Sequence, residues 1–350
     1  MAQHLDYGFD HYKKGLHLKK SSLTPCRVIA QYNYIYDLAA PHGVVSGECS
    51  GKLLYANELL PVVGDWVLAE AMNDLAIIHE ILPRKSAISR KAAGRAVSEQ
   101  VLAANLDALG IVTALDNNYN RNRVERFIAL ALQNNIEPIL IFNKTDVCPD
   151  LEKTKEEVAR HFNSYRSYFI SLVSREGLPL LQKEVLVPHQ TIALVGSSGV
   201  GKSTLINYLL KEEVIPTNAV RQKDQRGRHT TTSRNLYLLK NKAMVIDNPG
   251  IRELGLWQAD KGLARVFSEL EQLAAQCRYP DCQHLSEPGC AVLKAVASGE
   301  LAQEQYDNYI KLRKENEFLK RKTDKSQAAN TKKRWKSISK EIKRIYKNKH

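Results

Sequence analysis

The stretch Gly196-Ser197-Ser198-Gly199-Val200-Gly201-Lys202-Ser203 constrains this chain most. It fits G-x-x-x-x-G-K-[ST]. Thr191 to Val195 before it are apolar and β-branched, as a buried strand requires. Thr204 to Lys211 after it read as a helix, with Leu205, Leu209 and Leu210 on one side. Strand, glycine loop and helix in that order are the setting a phosphate-binding loop needs. The glycines let backbone N–H groups wrap a polyphosphate, and the helix N-terminus adds partial positive charge. Lys202 is expected to hold the β- and γ-phosphates and Ser203 to ligate Mg²⁺, with Thr204 beside it. The bland alternative is a glycine turn between a strand and a helix, and the flanks argue against it.

A second motif names the base. Ile136 to Phe142 is an apolar strand that ends at Asn143-Lys144-Thr145-Asp146, a match to N-K-x-D. A carboxylate at Asp146 can accept from the two N–H donors on the Watson–Crick edge of guanine. Adenine offers no such pair, so the acceptor would be left unpaired. Asn143 is expected to tie the base to the loops, and the Lys144 stem to cover its face. Tyr168 to Ser171 is a further strand leading to a second base-side loop, where Ser171-Leu172 stands for the usual Ser-Ala.

Downstream of the phosphate loop, Arg228-His229-Thr230-Thr231-Thr232 has the character of a switch segment. Thr231 is chosen to reach Mg²⁺ and the γ-phosphate, ordering the loop only in the triphosphate state. Asp247-Asn248-Pro249-Gly250 matches D-x-x-G: Asp247 holds Mg²⁺ through water, and the Gly250 N–H senses the γ-phosphate. Ras-like enzymes place a water-orienting Gln next. Here that position is Ile251, so another group must orient water, and His229 is the nearest candidate. The base motif precedes the phosphate loop, the reverse of the ordinary order. The central region, residues 99–258, is therefore expected to be a circularly permuted α/β P-loop GTPase domain.

The flanks differ in kind. Residues 1–21 lack periodicity and read as a flexible arm. Residues 22–98 hold short strand-like runs broken by turn signals, including Arg27 to Tyr36, Val44 to Leu54, Val62 to Val67 and Ala76 to Leu82. Such spacing suggests a small β-barrel of OB-fold type. In residues 259–322, Cys277-x₄-Cys282-x-His284-x₅-Cys290 offers three thiolates and one imidazole, the donor set of one closed, structural Zn²⁺ site. Helical segments surround it.

The net charge of +13 is concentrated: residues 311–350 carry 16 Lys or Arg against 4 Asp or Glu. The basic tail, 323–350, with Trp335 and Tyr346 among the charges, suits a polyanion such as nucleic acid. A 43% hydrophobic content is ordinary, and no apolar run is long enough to span a bilayer. The N-terminus lacks a secretory signal, so a cytoplasmic location without membrane attachment is expected.

The permuted N-K-x-D, phosphate loop, R-H-T-T-T and D-x-P-G, followed by the C-x₄-C-x-H-x₅-C cluster, resemble the bacterial ribosome small subunit-dependent GTPase family (RsgA, also called YjeQ). Val63-Gly64-Asp65-Trp66-Val67 resembles it too. The likeness covers about residues 25 to 320. It implies a multidomain chain of OB-fold barrel, permuted GTPase and C-terminal helical zinc domain. It also implies late maturation of the 30S subunit, GTP hydrolysis to GDP stimulated by that subunit, contact with 16S rRNA, and a switch-loop His at His229 in hydrolysis. A monomer is expected. Asn248 and Leu172 depart from the family's commoner Thr and Ala. Two rivals stand beside this reading: a nucleic-acid-binding protein whose nucleotide site is purely structural, and a signalling GTPase acting on a protein partner.

Overall fold

Five short strands close into a barrel because their inward residues are apolar. The structure is a computed structural model, and it describes residues 3–14, 22–56, 60–72, 75–91, 99–116, 119–212, 215, 234–247 and 259–321. The barrel strands are β1 (Thr24–Tyr32), β2 (Ile35–Ala40), β3 (Gly43–Cys49), β4 (Trp66–Met72) and β5 (Leu75–Ile81). They run β1-β2-β3-β5-β4, and β4 pairs back onto β1. The β3–β5 pairing is parallel and the others are antiparallel. Closure leaves no free edge within the barrel. Val28, Tyr36, Leu38, Val67 and Ile78 fill it. With the helix Gly51–Ala56 between β3 and β4, this is the expected OB arrangement. Two details differ from the sequence reading. Asn33, at φ 58°, splits the run from Arg27 to Tyr36 into two strands. The run beyond Cys49 is helical, because the Ser50 hydroxyl accepts the Leu53 N–H at 3.2 Å and starts a helix.

A ribbon of β6 (Ala87–Lys91) and β7 (Glu99–Ala104) follows. Then come β8 (Ala108–Ala114), β9 (Glu137–Asn143), β10 (Arg166–Ile170), β11 (Thr191–Val195), β12 (Arg234–Leu238) and β13 (Met244–Asp247). Their order is β10-β9-β8-β11-β13-β12, all parallel except β12. Every residue of β11 is buried, as a central parallel strand covered on both faces must be. Asn120 and Asp150 accept backbone N–H groups of Arg123 and Lys153, starting the helices Arg121–Gln133 and Leu151–Phe162. The strands nearest the base motif come earlier in the chain than the strand of the phosphate loop, yet β8 and β11 lie side by side. The permutation is thus built into the sheet. β12 was not anticipated. It buries one residue of five and carries no strand period to read.

β12 also pairs with β1 of the barrel, Asn235 opposite Ala30 and Arg234 opposite Gln31, so barrel and nucleotide sheet form one eleven-stranded sheet. The Val63–Val67 stretch is bonded to β1: the Gly64 N–H donates to the Val28 carbonyl and the Val28 N–H to the Asp65 carbonyl, each at 2.9 Å. Asp65 is fully buried and accepts from Arg84 twice, at 2.7 Å each, and from the Val62 N–H at 2.8 Å. Burial raises the Asp65 carboxyl above its ordinary pKa, while the Arg84 bonds oppose the rise. Gly64 has φ +92°, and a Cβ there would stand 2.1 Å from the Ala104 carbonyl, so only glycine fits.

Within the arm, residues 3–14 are described. They form helices Gln3–Asp6 and Phe9–Lys13. Phe9 and Tyr12, three apart, present one aromatic face to Trp66, with ring centroids 4.9 and 5.5 Å away. Tyr12 is buried and donates its hydroxyl to the Pro83 carbonyl at 2.7 Å. Aromatic burial, which leaves little periodicity in so short a segment, is what orders the arm.

Residues 1–89 and 101–254 form one compact unit, and residues 90–100 and 255–350 a second. The second contains helices Asp260–Val266, Ser268–Ala274 and Ala291–Ser298 and a further helix over 303–321. Phe267, fully buried, meets Tyr309 edge-on at 5.4 Å. Asn316 accepts the Ala259 N–H at 2.9 Å and donates to Asp260 at 2.8 Å, tying the last helix to the first. The basic tail, 323–350, lies outside the described residues. No described helix is long and apolar enough to cross a membrane.

Candidate nucleotide site and metal centre

The phosphate loop begins where β11 ends. Gly201 caps the helix Lys202–Leu210 at φ +101°. A Cβ there would stand 2.4 Å from the Asn143 amide nitrogen, so the loop needs glycine on both steric counts. Leu205, Ile206 and Leu209 bury the helix against the sheet. Lys202 is buried, and its ammonium donates to the carbonyls of Gly196, at 2.7 Å, and Ser197. Ser203 is half-buried in the first turn and Thr204 is exposed. Asp247 ends β13. Its neighbour Ile246 pairs with Ala193, so Asp247 sits one strand away from the start of the loop.

The base motif lies at the same end of the sheet. Asn143 closes β9, opposite Ala114 of β8 and Ile170 of β10. It is buried, and its amide donates to the Val200 carbonyl in the phosphate loop at 2.8 Å. Its Oδ1 is buried with no hydrogen-bond partner among the described residues. A buried acceptor without a donor is costly, and a donor on a bound base would satisfy it. The hydroxyl of Ser171, itself fully buried, donates to Asp146 Oδ1 at 2.5 Å. The Ser171 hydroxyl oxygen also accepts the N–H groups of Val173 and Ser174, at 3.2 and 3.0 Å. Asp146 is exposed, and its second carboxylate oxygen makes no hydrogen bond with a described residue. One serine therefore shapes its own loop and aims the carboxylate, while Leu172 packs against the sheet core.

Two residues near the site were not singled out from sequence. Asp116 pairs with Lys144 at 2.8 Å, and Arg123 donates to the Ser197 hydroxyl. A lone Asp in a turn and a lone Arg on a helix carry no motif, so no sequence signal marks either. His229, Thr231 and Gly250 lie outside the described residues, as do Asn248 and Ile251.

In the second unit the four expected metal ligands come together. The ligating atoms of Cys277, Cys282, His284 and Cys290 all lie within 4.8 Å of one another. Cys277 and Cys290 sulfurs are 3.9 Å apart, and His284 Nδ1 is 3.6 and 3.5 Å from them. A disulfide needs about 2.05 Å. Thiolates sharing a tetrahedral Zn²⁺ at about 2.3 Å stand about 3.8 Å apart, so the geometry suits zinc. Burial lowers the His284 pKa and favours the neutral imidazole that a metal requires. The Tyr306 hydroxyl donates to the His284 carbonyl at 2.6 Å. Glu287 accepts N–H groups of Gln283, Leu285 and Ser286 at 2.9 to 3.0 Å. Those backbone donors hold its carboxyl down at about 2. With four donors from the protein, the cluster is compatible with a closed, structural zinc site.

Comparison with known proteins agrees with this architecture. Residues 81–257 match the family model described as RsgA GTPase. A protein of Opitutus terrae named small ribosomal subunit biogenesis GTPase RsgA is 39% identical, over 90% of this chain and 89% of its own length. A protein of the same name from Methanosarcina acetivorans is 38% identical, over 99% of this chain and 92% of its own. Among solved structures, YjeQ from Thermotoga maritima superposes with a TM-score of 0.62 at 24% identity, covering 84% of this chain and 98% of that one. YloQ, described as a circularly permuted GTPase, gives 0.59 at 23% identity, covering 89% and 99%. At these identities the structures speak for the fold alone. The sequence matches go further, and by them the chain belongs to the RsgA GTPase family.

Proposed function

We propose that this chain is a GTP-hydrolysing factor that binds the small (30S) ribosomal subunit and acts in its late maturation. Hydrolysis to GDP and phosphate is stimulated by the subunit and coupled to release. The observation that carries the reading is the Asn143–Val200 hydrogen bond of 2.8 Å. It ties a guanine-type base motif to a phosphate loop, so one nucleotide spans both. The names of the relatives supply the small subunit as the setting.

In this reading Asp146 accepts from the guanine edge, the Lys144 stem covers a face of the base, and Asn143 and Ser171 hold the loops. Backbone N–H groups of residues 196–204 cradle the phosphates, with the Lys202 ammonium turning from loop carbonyls to the β- and γ-phosphates. Ser203, Thr231 and, through water, Asp247 are the groups that would hold Mg²⁺, which supplies charge neutralisation at the phosphates. The Gly250 N–H senses the γ-phosphate. His229 orients the water whose oxygen attacks the γ-phosphorus. The bond to the β–γ bridging oxygen breaks and GDP leaves. With Ile251 unable to orient water, the free enzyme is slow and the subunit completes the site. The barrel, the zinc module and the basic tail contact 16S rRNA, with one structural Zn²⁺ per chain. The protein acts as a cytoplasmic monomer, and the division follows residues 1–21, 22–98, 99–258, 259–322 and 323–350.

The test is GTP turnover with and without 30S subunits, for wild type and His229→Ala. Wild-type turnover that rises with subunits, and is lost in the variant while GTP binding persists, supports the proposal. Turnover indifferent to subunits would favour a purely structural nucleotide site. Subunit binding indifferent to salt would favour a protein partner, because phosphate contacts must weaken as salt rises.

A further inference from the structure

Lys144 is unusual in two ways at once. Its backbone is left-handed, at φ 67°, a conformation that non-glycine residues adopt only when their surroundings impose it. Its ammonium is held by Asp116 at 2.8 Å. The pair is partly exposed, 36% for the lysine side chain and 25% for the aspartate. A pair so placed adds little to folding stability, so its presence at the base motif needs another account.

Asp116 is fixed independently of the lysine. It follows β8 by two residues. The Leu115 N–H donates to the Asn143 carbonyl at 2.8 Å, which splices this turn onto the base motif. The Asp116 carbonyl accepts the Tyr119 N–H at 2.9 Å, and Tyr119 in turn meets Phe142 edge-on at 6.3 Å. The backbone of Asp116 is therefore held by the same strand ends that hold Asn143.

A free lysine stem samples many rotamers, and ordering it on ligand arrival costs binding free energy. Asp116 removes that cost in advance by clamping the far end of the stem. We propose that Asp116 is a positioning residue for base recognition, fixing the Lys144 side chain as a pre-formed platform for the guanine face. The inference rests on the guanine-nucleotide reading above, and it concerns affinity. Choice between bases stays with Asp146.

A double-mutant cycle tests it. Dissociation constants for a fluorescent GDP analogue are measured for wild type, Asp116→Asn, Lys144→Met and the double variant, alongside inorganic tripolyphosphate as a competitor that has no base. Asp116→Asn keeps the shape of the side chain, and Asp116→Glu serves as the charge-preserving rescue. The expected result is a roughly three- to tenfold weaker GDP constant for Asp116→Asn, an estimate from the cost of ordering one long side chain. The tripolyphosphate constant stays unchanged, Asp116→Glu recovers part of the loss, and no further loss occurs on the Lys144→Met background. An equal loss on that background shows a structural role and overturns the proposal. So does unchanged or tighter GDP binding by Asp116→Asn. Failure of the wild type to bind GDP at all would instead overturn the nucleotide reading itself.

Discussion

The Arg27 guanidinium lies 5.3 Å from the centre of the Trp66 ring, and both side chains are buried. Its other contacts reach across the unit. It donates to the Tyr7 carbonyl at 2.7 Å, to the Asn105 carbonyl at 3.3 Å and to the Thr191 hydroxyl at 2.9 Å. Arm, barrel and the first residue of the phosphate-loop strand thus share one cation. The aromatic face and the carbonyls stand in for the water it has lost.

Arg27→Met is expected to leave those acceptors without a donor and to destabilise the first unit by about 2–4 kcal/mol. Arg27→Lys keeps the charge without the fork, and is expected to cost less than the Met variant but still measurably. Urea midpoints of the two variants check this. A midpoint unchanged in Arg27→Met would show that the cation is not a joint.

Gly201→Ala is expected to abolish tight nucleotide binding, because its Cβ stands 2.4 Å from the Asn143 amide nitrogen and φ is +101°. The strain alone amounts to about 1–3 kcal/mol. Since the displaced group belongs to the base motif, GDP and GTP affinity should fall together, by roughly 5- to 150-fold on that strain. Calorimetric titration decides the point, and a variant binding as wild type does would contradict the loop geometry.

Asp146→Asn should move base preference from guanine toward xanthine. The amide can donate to the extra carbonyl of xanthine, whereas the guanine amino group loses its acceptor. Loss of a charge-assisted pair predicts about 10²-fold weaker GTP binding. Competition between GTP and XTP measures it. The exposed position of Asp146 leaves the fold intact.

Chelation of zinc, or Cys282→Ser, should loosen the second unit and leave the first folded, since the four ligands all fall within residues 277–290. The thiols must lose protons to bind metal, so sensitivity to chelator should grow as pH falls from 8 to about 6. Helical circular dichroism together with released zinc reads this out. Loss of GDP binding on zinc removal would count against the separation.

Several features were legible in the residues. The spacing of Gly196 to Ser203, Asn143 to Asp146 and Cys277 to Cys290 is chemistry written at short range. A phosphate needs consecutive N–H groups, guanine needs a carboxylate after a strand, and a structural metal needs four donors on short loops. The reversed order of two such motifs announced the permutation as well. Buried apolar strands such as Thr191–Val195 carry their own period, and the barrel strands nearly so.

Only the tertiary structure decided what depends on residues far apart in the chain. The ordering of Tyr12 by Trp66, the pairing of β12 with β1, the clasp of Asp65 on Arg84, and the meeting of Lys144 with Asp116 join positions from 19 to more than 200 residues apart. None leaves a local pattern, because each partner is unremarkable until the backbone brings the other beside it. The sequence carries the motifs expected of a guanine-nucleotide site and a cluster compatible with a metal. The packing determined which neighbours hold those places in shape, since burial and charge pairing act through space rather than along the chain.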